Sequence, residues 1–361
     1  MRIGIVTQPL EMNYGGILQN WALQQVLKRM GHEPITIDAY QRYSTLHFAY
    51  NWLRVAIKRL LGNKKIKYPT RYCGALRNEL MGQFIEQHIN KTKVMWNYQR
   101  SVVKDYHFDG IVVGSDQVWR IAYNADHIED MYLRFAEGMP LKRVAYAASF
   151  GVDKWDYSEE RTNVCAALAQ KMNAVSVREE SGIKLCHDHL GINAVQVLDP
   201  TMLLTPDDYN EIIDKDWDAQ EPYLAVYCLD ITPAKEAFFN QQAQKKGLNV
   251  RYFSAGWQSQ LTIEQWLAMI KNATLVVTDS FHGTVFSILF EREFYTLANP
   301  NRGNTRMTGF LSSLGLEHRQ LSDMEPVEPI EQEINWQDVR KRAVPDIQRS
   351  YDFLATALRK W

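Results

Sequence analysis

Apolar residues along this chain alternate between short unbroken runs and stretches in which they recur every third or fourth position. The first run is IGIV at 3–6. After Asn13-Tyr14-Gly15-Gly16, which reads as a tight βα turn, Ile17, Trp21, Leu23, Val26, Leu27 and Met30 keep near-helical spacing, and Gly31 ends the helix. PITID at 34–38 reads as a second strand, so residues 3–38 predict a βαβ unit. Further runs are GIVVG at 110–114, RVAYAAS at 143–149, AVSV at 174–177 and AVQVL at 194–198. YLAVYCL at 223–229, VRYFS at 250–254, TLVVTD at 274–279 and FYTLA at 294–298 follow. Helical patterns separate most of them, which predicts parallel sheets covered on both faces.

About nine strands in two series predict an α/β chain of two doubly wound, Rossmann-like domains. Asp199-Pro200 and Thr205-Pro206-Asp207-Asp208 interrupt the periodicity. The expected division is therefore an N-terminal domain over 1–203 and a C-terminal domain over 204–330. Residues 331–361, helical from Trp336, are expected to pack back on the N-terminal domain.

Composition narrows the class without naming a function. The chain has 361 residues, is 46% hydrophobic and 23% charged, and carries a net charge of −1. Nothing in that balance points to nucleic acid. Cys73, Cys165, Cys186 and Cys228 are widely spaced with no CxxC, which argues against a disulfide framework and a thiolate metal site. MRIGIVTQPL lacks the features of a signal peptide, and no apolar stretch approaches the ~20 residues that span a bilayer. A cytoplasmic protein is expected, at most peripheral to the inner face of the membrane. Residues 42–77 bear on that: Arg42, Arg54, Lys58, Arg59, Lys64, Lys65, Lys67, Arg71 and Arg77 are basic, and no residue between Asp38 and Glu79 is acidic. Aromatic and aliphatic residues are interleaved with them. The segment reads either as a solvated helix face with a loop or as a basic amphipathic helix on an anionic membrane.

Five segments at the ends of expected strands carry candidate chemistry, because ligands of parallel α/β sheets bind at the carboxyl ends of the strands. In Asn13-Tyr14-Gly15-Gly16 the glycines allow a tight turn or a close ligand, and the helix that follows offers free N–H groups. Ser115-Asp116-Gln117 with Trp119 supplies a carboxylate, an amide and an aromatic ring, the groups that read sugar hydroxyls and sugar faces. Asp116 is a candidate base, with an N-cap role as its alternative. Tyr146-Ala147-Ala148-Ser149-Phe150-Gly151 offers only small residues for close approach. Arg178 follows a strand directly, where its planar fork suits a carboxylate or phosphate, or else a structural salt bridge. Asp279-Ser280-Phe281-His282-Gly283 stands at the mouth of an apolar helix, a place that favours an anion, with His282 as hydrogen-bond donor or general acid. Cys186-His187-Asp188-His189 places its histidines two apart, which does not align them on one helix face for a metal. Ser149 and Ser280 lack the GxSxG elbow of a hydrolase.

Taken together, NYGGILQNWALQQVLKRMGHEP, FDGIVVGSDQVW, VAYAASFG, VSVREESG, VLDPTMLL, VVTDSFHGTVFSILF and RMTGFLSSLGL, in this order, resemble the polysaccharide pyruvyl transferases. The resemblance implies a GT-B-like fold with the active site between the domains. It also implies phosphoenolpyruvate as donor and a sugar diol as acceptor, free or lipid-linked, joined as a cyclic pyruvate ketal. By motif, Arg178 and His282 fall at the donor site, with Ser280 and Gly283 beside them. Asn13, Tyr14, Gly15, Gly16, Ser115, Asp116, Gln117 and Trp119 fall on the acceptor side. Better-known members carry an arginine two positions before the motif histidine; here that position is Ser280, and Arg306, or else Arg302, is the candidate replacement. The scheme calls for no metal and no organic cofactor. A GT-B glycosyltransferase or nucleotide-sugar enzyme, and a non-catalytic carbohydrate-binding protein, are the alternative readings.

Overall fold

The computed structural model describes residues 1–11, 13–40, 45–60, 79–217, 221–254, 261–299, 304–322 and 332–359, apart from the side chains of His47, Asn304, Thr305 and Arg306. In the N-terminal part the strands are β1 (Arg2–Val6), β2 (Glu33–Thr36), the two-residue pair β3 (Ala39–Tyr40) and β4 (Met95–Trp96), β5 (Gly110–Val113), β6 (Lys142–Ala148), β7 (Ala174–Val177) and β8 (Val195–Gln196). In the C-terminal part they are β9 (Tyr223–Tyr227), β10 (Asn249–Tyr252), β11 (Leu275–Thr278), β12 (Glu293–Leu297) and β13 (Gln320–Leu321). The runs at 194–198 and 250–254 contribute shorter strands than their apolar patterns, whereas β3, β4 and β13 are too short to leave a pattern.

The first sheet has the order β2-β1-β5-β6-β7-β8 and the second β10-β9-β11-β12-β13, with every strand pair parallel. Helices cover both faces of each sheet, so the central strands are apolar on both sides: Ile3, Ile5, Val112, Leu275, Val276 and Val277 have no exposed surface. In each sheet the winding direction reverses between two neighbouring strands, β1 and β5 in the first and β9 and β11 in the second. A crevice opens at the carboxyl ends of strands at such a reversal. The loops after β1, β5 and β11 carry Asn13, Ser115-Asp116 and Asp279–His282, so topology alone brings these segments to the crevices.

Local sequence explains the first helix, with one correction. Asn13 has an extended backbone and its side chain accepts from the Gly16 N–H at 3.1 Å, so the helix Tyr14–Arg29 begins before the glycines. Gly15 and Gly16 are its first turn, not a turn ahead of it. Gly31 stops the helix with φ of 79°.

The two sheets share one apolar core. Tyr14 stacks on Trp266 with ring centroids 5.2 Å apart, and its hydroxyl donates to the Leu261 carbonyl at 2.8 Å. Trp21 meets Tyr209 at 5.5 Å, and Tyr209 meets Phe286 edge-on at 4.9 Å. The helix Trp336–Ala357 lies against the first domain: Ser350 Oγ accepts from the Leu198 N–H at 3.0 Å, and the Tyr351 hydroxyl donates to the Leu203 carbonyl at 2.9 Å. Among the described residues no helix is long and apolar enough to cross a membrane.

Candidate functional site

The segment that leaves the first sheet holds the centre of the site. Asp199 precedes the short 3-10 turn Pro200–Leu203, and its Oδ1 accepts from the N–H of Thr201 at 3.0 Å and from the Thr201 hydroxyl at 2.7 Å. That capping duty fixes the carboxylate and turns Oδ2 toward the crevice. Oδ2 accepts from Ser115 Oγ at 2.7 Å and from Arg178 Nη1 at 2.8 Å, and lies 3.6 Å from His282 Nε2. One oxygen thus meets groups from the loops after β5, β7 and β11, and therefore from both sheets.

Arg178 is 7% exposed, and its guanidinium lies 4.5 Å from the centroid of the Phe281 ring. Nη2 approaches Asp116 Oδ1 at 3.8 Å, too long for a hydrogen bond. Nε and Nη2 are buried and have no hydrogen-bond partner among the described residues. Burial works against its charge, but the carboxylates of Asp199, Asp116 and Glu179 hold the Arg178 pKa above the usual arginine value. For Asp199 burial opposes the charged form, yet His282, Arg178 and Thr201 hold its carboxyl well below the usual carboxylate range. Asp199 is a fixed anion that keeps the guanidinium charged and in place. Buried polar groups are ordinarily paired, so two orphaned N–H groups on a buried cation mark a place for an anion.

His282 stands in the first turn of the helix Phe281–Leu289, which Ser280 caps by accepting from the Gly283 N–H at 3.4 Å. The imidazole is 7% exposed, and its Nε2 also lacks a hydrogen-bond partner among the described residues. Its other edge rests on Gly15: a Cβ added there would lie 2.0 Å from His282 Nδ1. Only a glycine in that helical turn lets the ring of the second domain press against the backbone of the first. Gly15→Ala is expected to push the imidazole off Asp199. Catalytic geometry displaced by about 1 Å can cost ~10²-fold in rate. Steady-state turnover of the variant checks this; a wild-type rate would mean that the ring works from another position. Gly283 is fixed by a similar contact, because a Cβ there would lie 2.3 Å from Thr278 Oγ1.

Asp116 adopts a left-handed backbone with φ of 73°, and its Oδ2 accepts from Asn13 Nδ2 at 3.3 Å. A non-glycine residue held there is uncommon and costs energy, and Asp bears it better than most. The turn brings its carboxylate beside Arg178 and next to the Asn13 cap. Asn13, Gly15, Ser115, Asp116, Arg178, Ser280, His282 and Gly283 therefore converge.

Other expected residues serve the framework. Trp119 has no exposed surface, stacks on Tyr132 at 4.8 Å and donates from Nε1 to the Met131 carbonyl at 3.1 Å, so it cannot offer its ring to a sugar. Tyr14 is likewise spent in the core between the sheets. Gly16 is buried in the capped first turn. Gln117 Oε1 accepts from Arg120 Nη1 at 2.6 Å. Arg306 belongs to the helix Asn304–Ser313, which packs against the helix Glu180–Leu185; its side chain and the whole of Arg302 lie outside the described residues.

Asp199, Glu179 and Lys235 are the residues that sequence reasoning missed. Glu179 Oε1 accepts from the Phe150 N–H at 2.7 Å, the Gly151 N–H at 3.1 Å and Ser149 Oγ at 3.0 Å, which ties the third segment to the strand end that carries Arg178. Lys235 is buried and donates to Asp279 Oδ2 at 2.9 Å, and Asp279 also accepts from the Leu229 N–H at 2.6 Å. The aspartate of the fifth segment is therefore a brace for the loop that presents His282. Asp-Pro followed by Thr was the signal for Asp199, because it marks a capped turn. His187 pairs with Asp188, and His189 stacks on Trp155 at 4.6 Å. One cavity of about 740 Å³ lies elsewhere, lined by Lys215, Trp217, Lys271 and Arg292, and another of about 690 Å³ reaches Glu179 beside Arg178 and is lined also by Lys184, His187 and Gln196. The orphaned buried N–H groups are the stronger mark of a site, because volume alone names no chemistry.

The family model described as polysaccharide pyruvyl transferase matches residues 13–301. No curated protein matches the chain in sequence. Among solved structures, a proposed UDP-N-acetylglucosamine 2-epimerase of Listeria monocytogenes superposes with a TM-score of 0.52 at 9% identity, over 98% of this chain and 90% of that one. A UDP-N-acetylglucosamine 2-epimerase of Rickettsia bellii gives a TM-score of 0.49 at 9% identity, over 98% and 97% of the two chains. At such identities the likeness is one of fold, two Rossmann-like domains in the GT-B arrangement.

Proposed function

The chain belongs to the polysaccharide pyruvyl transferase family, and from that premise we propose that it moves the pyruvyl group of phosphoenolpyruvate onto two hydroxyls of a sugar in a capsular, exopolysaccharide or cell-wall glycan. The product is a cyclic pyruvate ketal, and phosphate is released. The observation that supports this most is that Arg178 from one domain and His282 from the other meet at Asp199 Oδ2, with Arg178 Nε and Nη2 and His282 Nε2 buried and lacking a hydrogen-bond partner among the described residues. Phosphoenolpyruvate is small and carries negative charge at both ends, so it calls for a fixed guanidinium and a proton donor within one pocket.

In the proposed sequence His282, as imidazolium beside Asp199, gives its proton to the methylene carbon of the enol. That makes the adjacent carbon electrophilic. The first sugar hydroxyl bonds to it and loses its proton to Asp116. The carbon–oxygen bond to phosphate then breaks, with the Asp116 proton leaving on phosphate. The second hydroxyl closes the ketal and returns its proton to His282. Arg178 holds the donor carboxylate or phosphate throughout, and the first turn of the helix Phe281–Leu289 favours the other anionic end. Neither a metal nor an organic cofactor enters this scheme. In this reading the reaction runs on the cytoplasmic side, where phosphoenolpyruvate is made.

The test is incubation with phosphoenolpyruvate and a panel of acceptor oligosaccharides. We expect phosphate release that depends on the acceptor, with a matching mass gain of one pyruvyl ketal. Stabilisation by nucleotide sugars but not by phosphoenolpyruvate, with no ketal formed, would overturn the reading.

A further inference from the structure

The helix Thr45–Leu60 presents its apolar stripe the wrong way round for a core element. Leu46, Tyr50, Leu53, Ile57 and Leu60 recur at the three-and-four spacing that keeps them on one face. They are 85, 65, 57, 48 and 87% exposed, respectively. The half-buried positions are Phe48, Asn51, Val55, Ala56 and Arg59, most of them on the opposite side. The helix therefore has a less exposed face and, opposite it, an exposed apolar one. Single exposed apolar residues are ordinary, but an aligned stripe of five marks an interaction surface.

We infer that this stripe docks the protein on the surface of an anionic lipid bilayer. Charge decides the occupant. Arg54 and Lys58 are exposed and, one residue after Leu53 and Ile57, run along the flank of the stripe. No acidic residue lies between Asp38 and Glu79. A second copy of this chain would bring like charges against that flank, whereas anionic headgroups complement it. The chain as a whole carries −1, so everything outside this basic segment is acidic on balance. Such a charge distribution turns the helix toward a negative surface and the remainder away from it. Tyr50 and the half-exposed Trp52 are side chains that settle at the headgroup level.

The helix follows shortly after Tyr40, which contacts the loop after β1. The Tyr40 hydroxyl donates to the Leu10 carbonyl at 3.4 Å, and Leu10 stands three residues before Asn13. Thr45 is five residues after Tyr40, which places the start of the helix within about 18 Å of it. The docking is read without turnover, so it and the transferase reading can fail independently.

The experiment is co-sedimentation of the full chain with vesicles of phosphatidylcholine alone or mixed with phosphatidylglycerol. Binding to the mixed vesicles only is expected. The double variant L53E/I57E should bind at least tenfold more weakly, and R54Q/K58Q about fivefold more weakly per charge removed. All four positions are exposed, so both variants should melt as wild type does, and each tests the surface independently. Equal binding to neutral vesicles, no binding to anionic ones, or indifference to both double variants would overturn the inference. So would a dimer that L53E/I57E splits while the wild type ignores vesicles.

Discussion

Transfer by His282→Ala should fall by about 10²- to 10⁴-fold, the range that a positioned general acid contributes. In the proposed reaction the physical reason lies in the enol donor. Without a proton at the methylene carbon, its neighbour does not become electrophilic enough for a hydroxyl to attack. The structure supplies what such an acid needs: a fixed carboxylate oxygen 3.6 Å from Nε2, and an Nε2 with no competing hydrogen bond among the described residues. The loss should appear in kcat, because the proposed donor contact at Arg178 remains. Acceptor-dependent phosphate release and the melting temperature together check this. A melting temperature near wild type with the rate collapsed is the expected pair, and near-normal turnover would remove His282 from the chemistry.

Arg178→Met should strike both stability and activity. Its guanidinium is the cation bonded to Asp199, and removing one partner of a buried ion pair typically costs ~3–5 kcal/mol because the other charge stays buried. A long apolar side chain at the position fills the space, so the cost reports charge more than cavity. The pH dependence follows from the sign of the Asp199 shift. A carboxyl held below its usual range contributes stability above its unfolded pKa of about 3.9, and that stability is lost as pH falls through the folded value. Without Arg178 one of the groups holding the Asp199 pKa down is gone. The acid unfolding transition of the variant should therefore lie at higher pH than that of the wild type. Arg178→Lys separates the two roles. It keeps a charge near Asp199 but loses the fork, so it should retain much of the stability and raise KM for phosphoenolpyruvate. Chemical denaturation across pH, with steady-state kinetics of both variants, checks the pair. An unshifted acid transition in Arg178→Met would mean that Asp199 is held by its other neighbours alone.

Much of the site was legible because parallel α/β folds put function at strand ends, and strand ends can be found from apolar runs and the polar residues that close them. Arg178 and His282 were visible in this way, the first directly after a buried run and the second a few residues beyond one. Trp119 shows where the method stops. An aromatic close behind a Ser-Asp pair fits a sugar platform and a core wedge equally well, and only its contacts with Tyr132 and the Met131 carbonyl decide. Asp199 shows the reverse error. Asp-Pro reads as punctuation between domains, but Asp199 is also the anion on which Arg178 and His282 meet.

The sequence by itself determined the class of fold, the two series of strands, the family, and which side chains could hold an anion or move a proton. These depend on local pattern, where apolar spacing and capping residues act over a few positions. Tertiary structure alone decided which of those side chains share a pocket, which are spent on framework, and why Gly15 carries no side chain. Those outcomes turn on contacts between residues such as Gly15 and His282, far apart in the chain. No local periodicity records them, because packing between sheets depends on three-dimensional shape, and pattern along a chain does not.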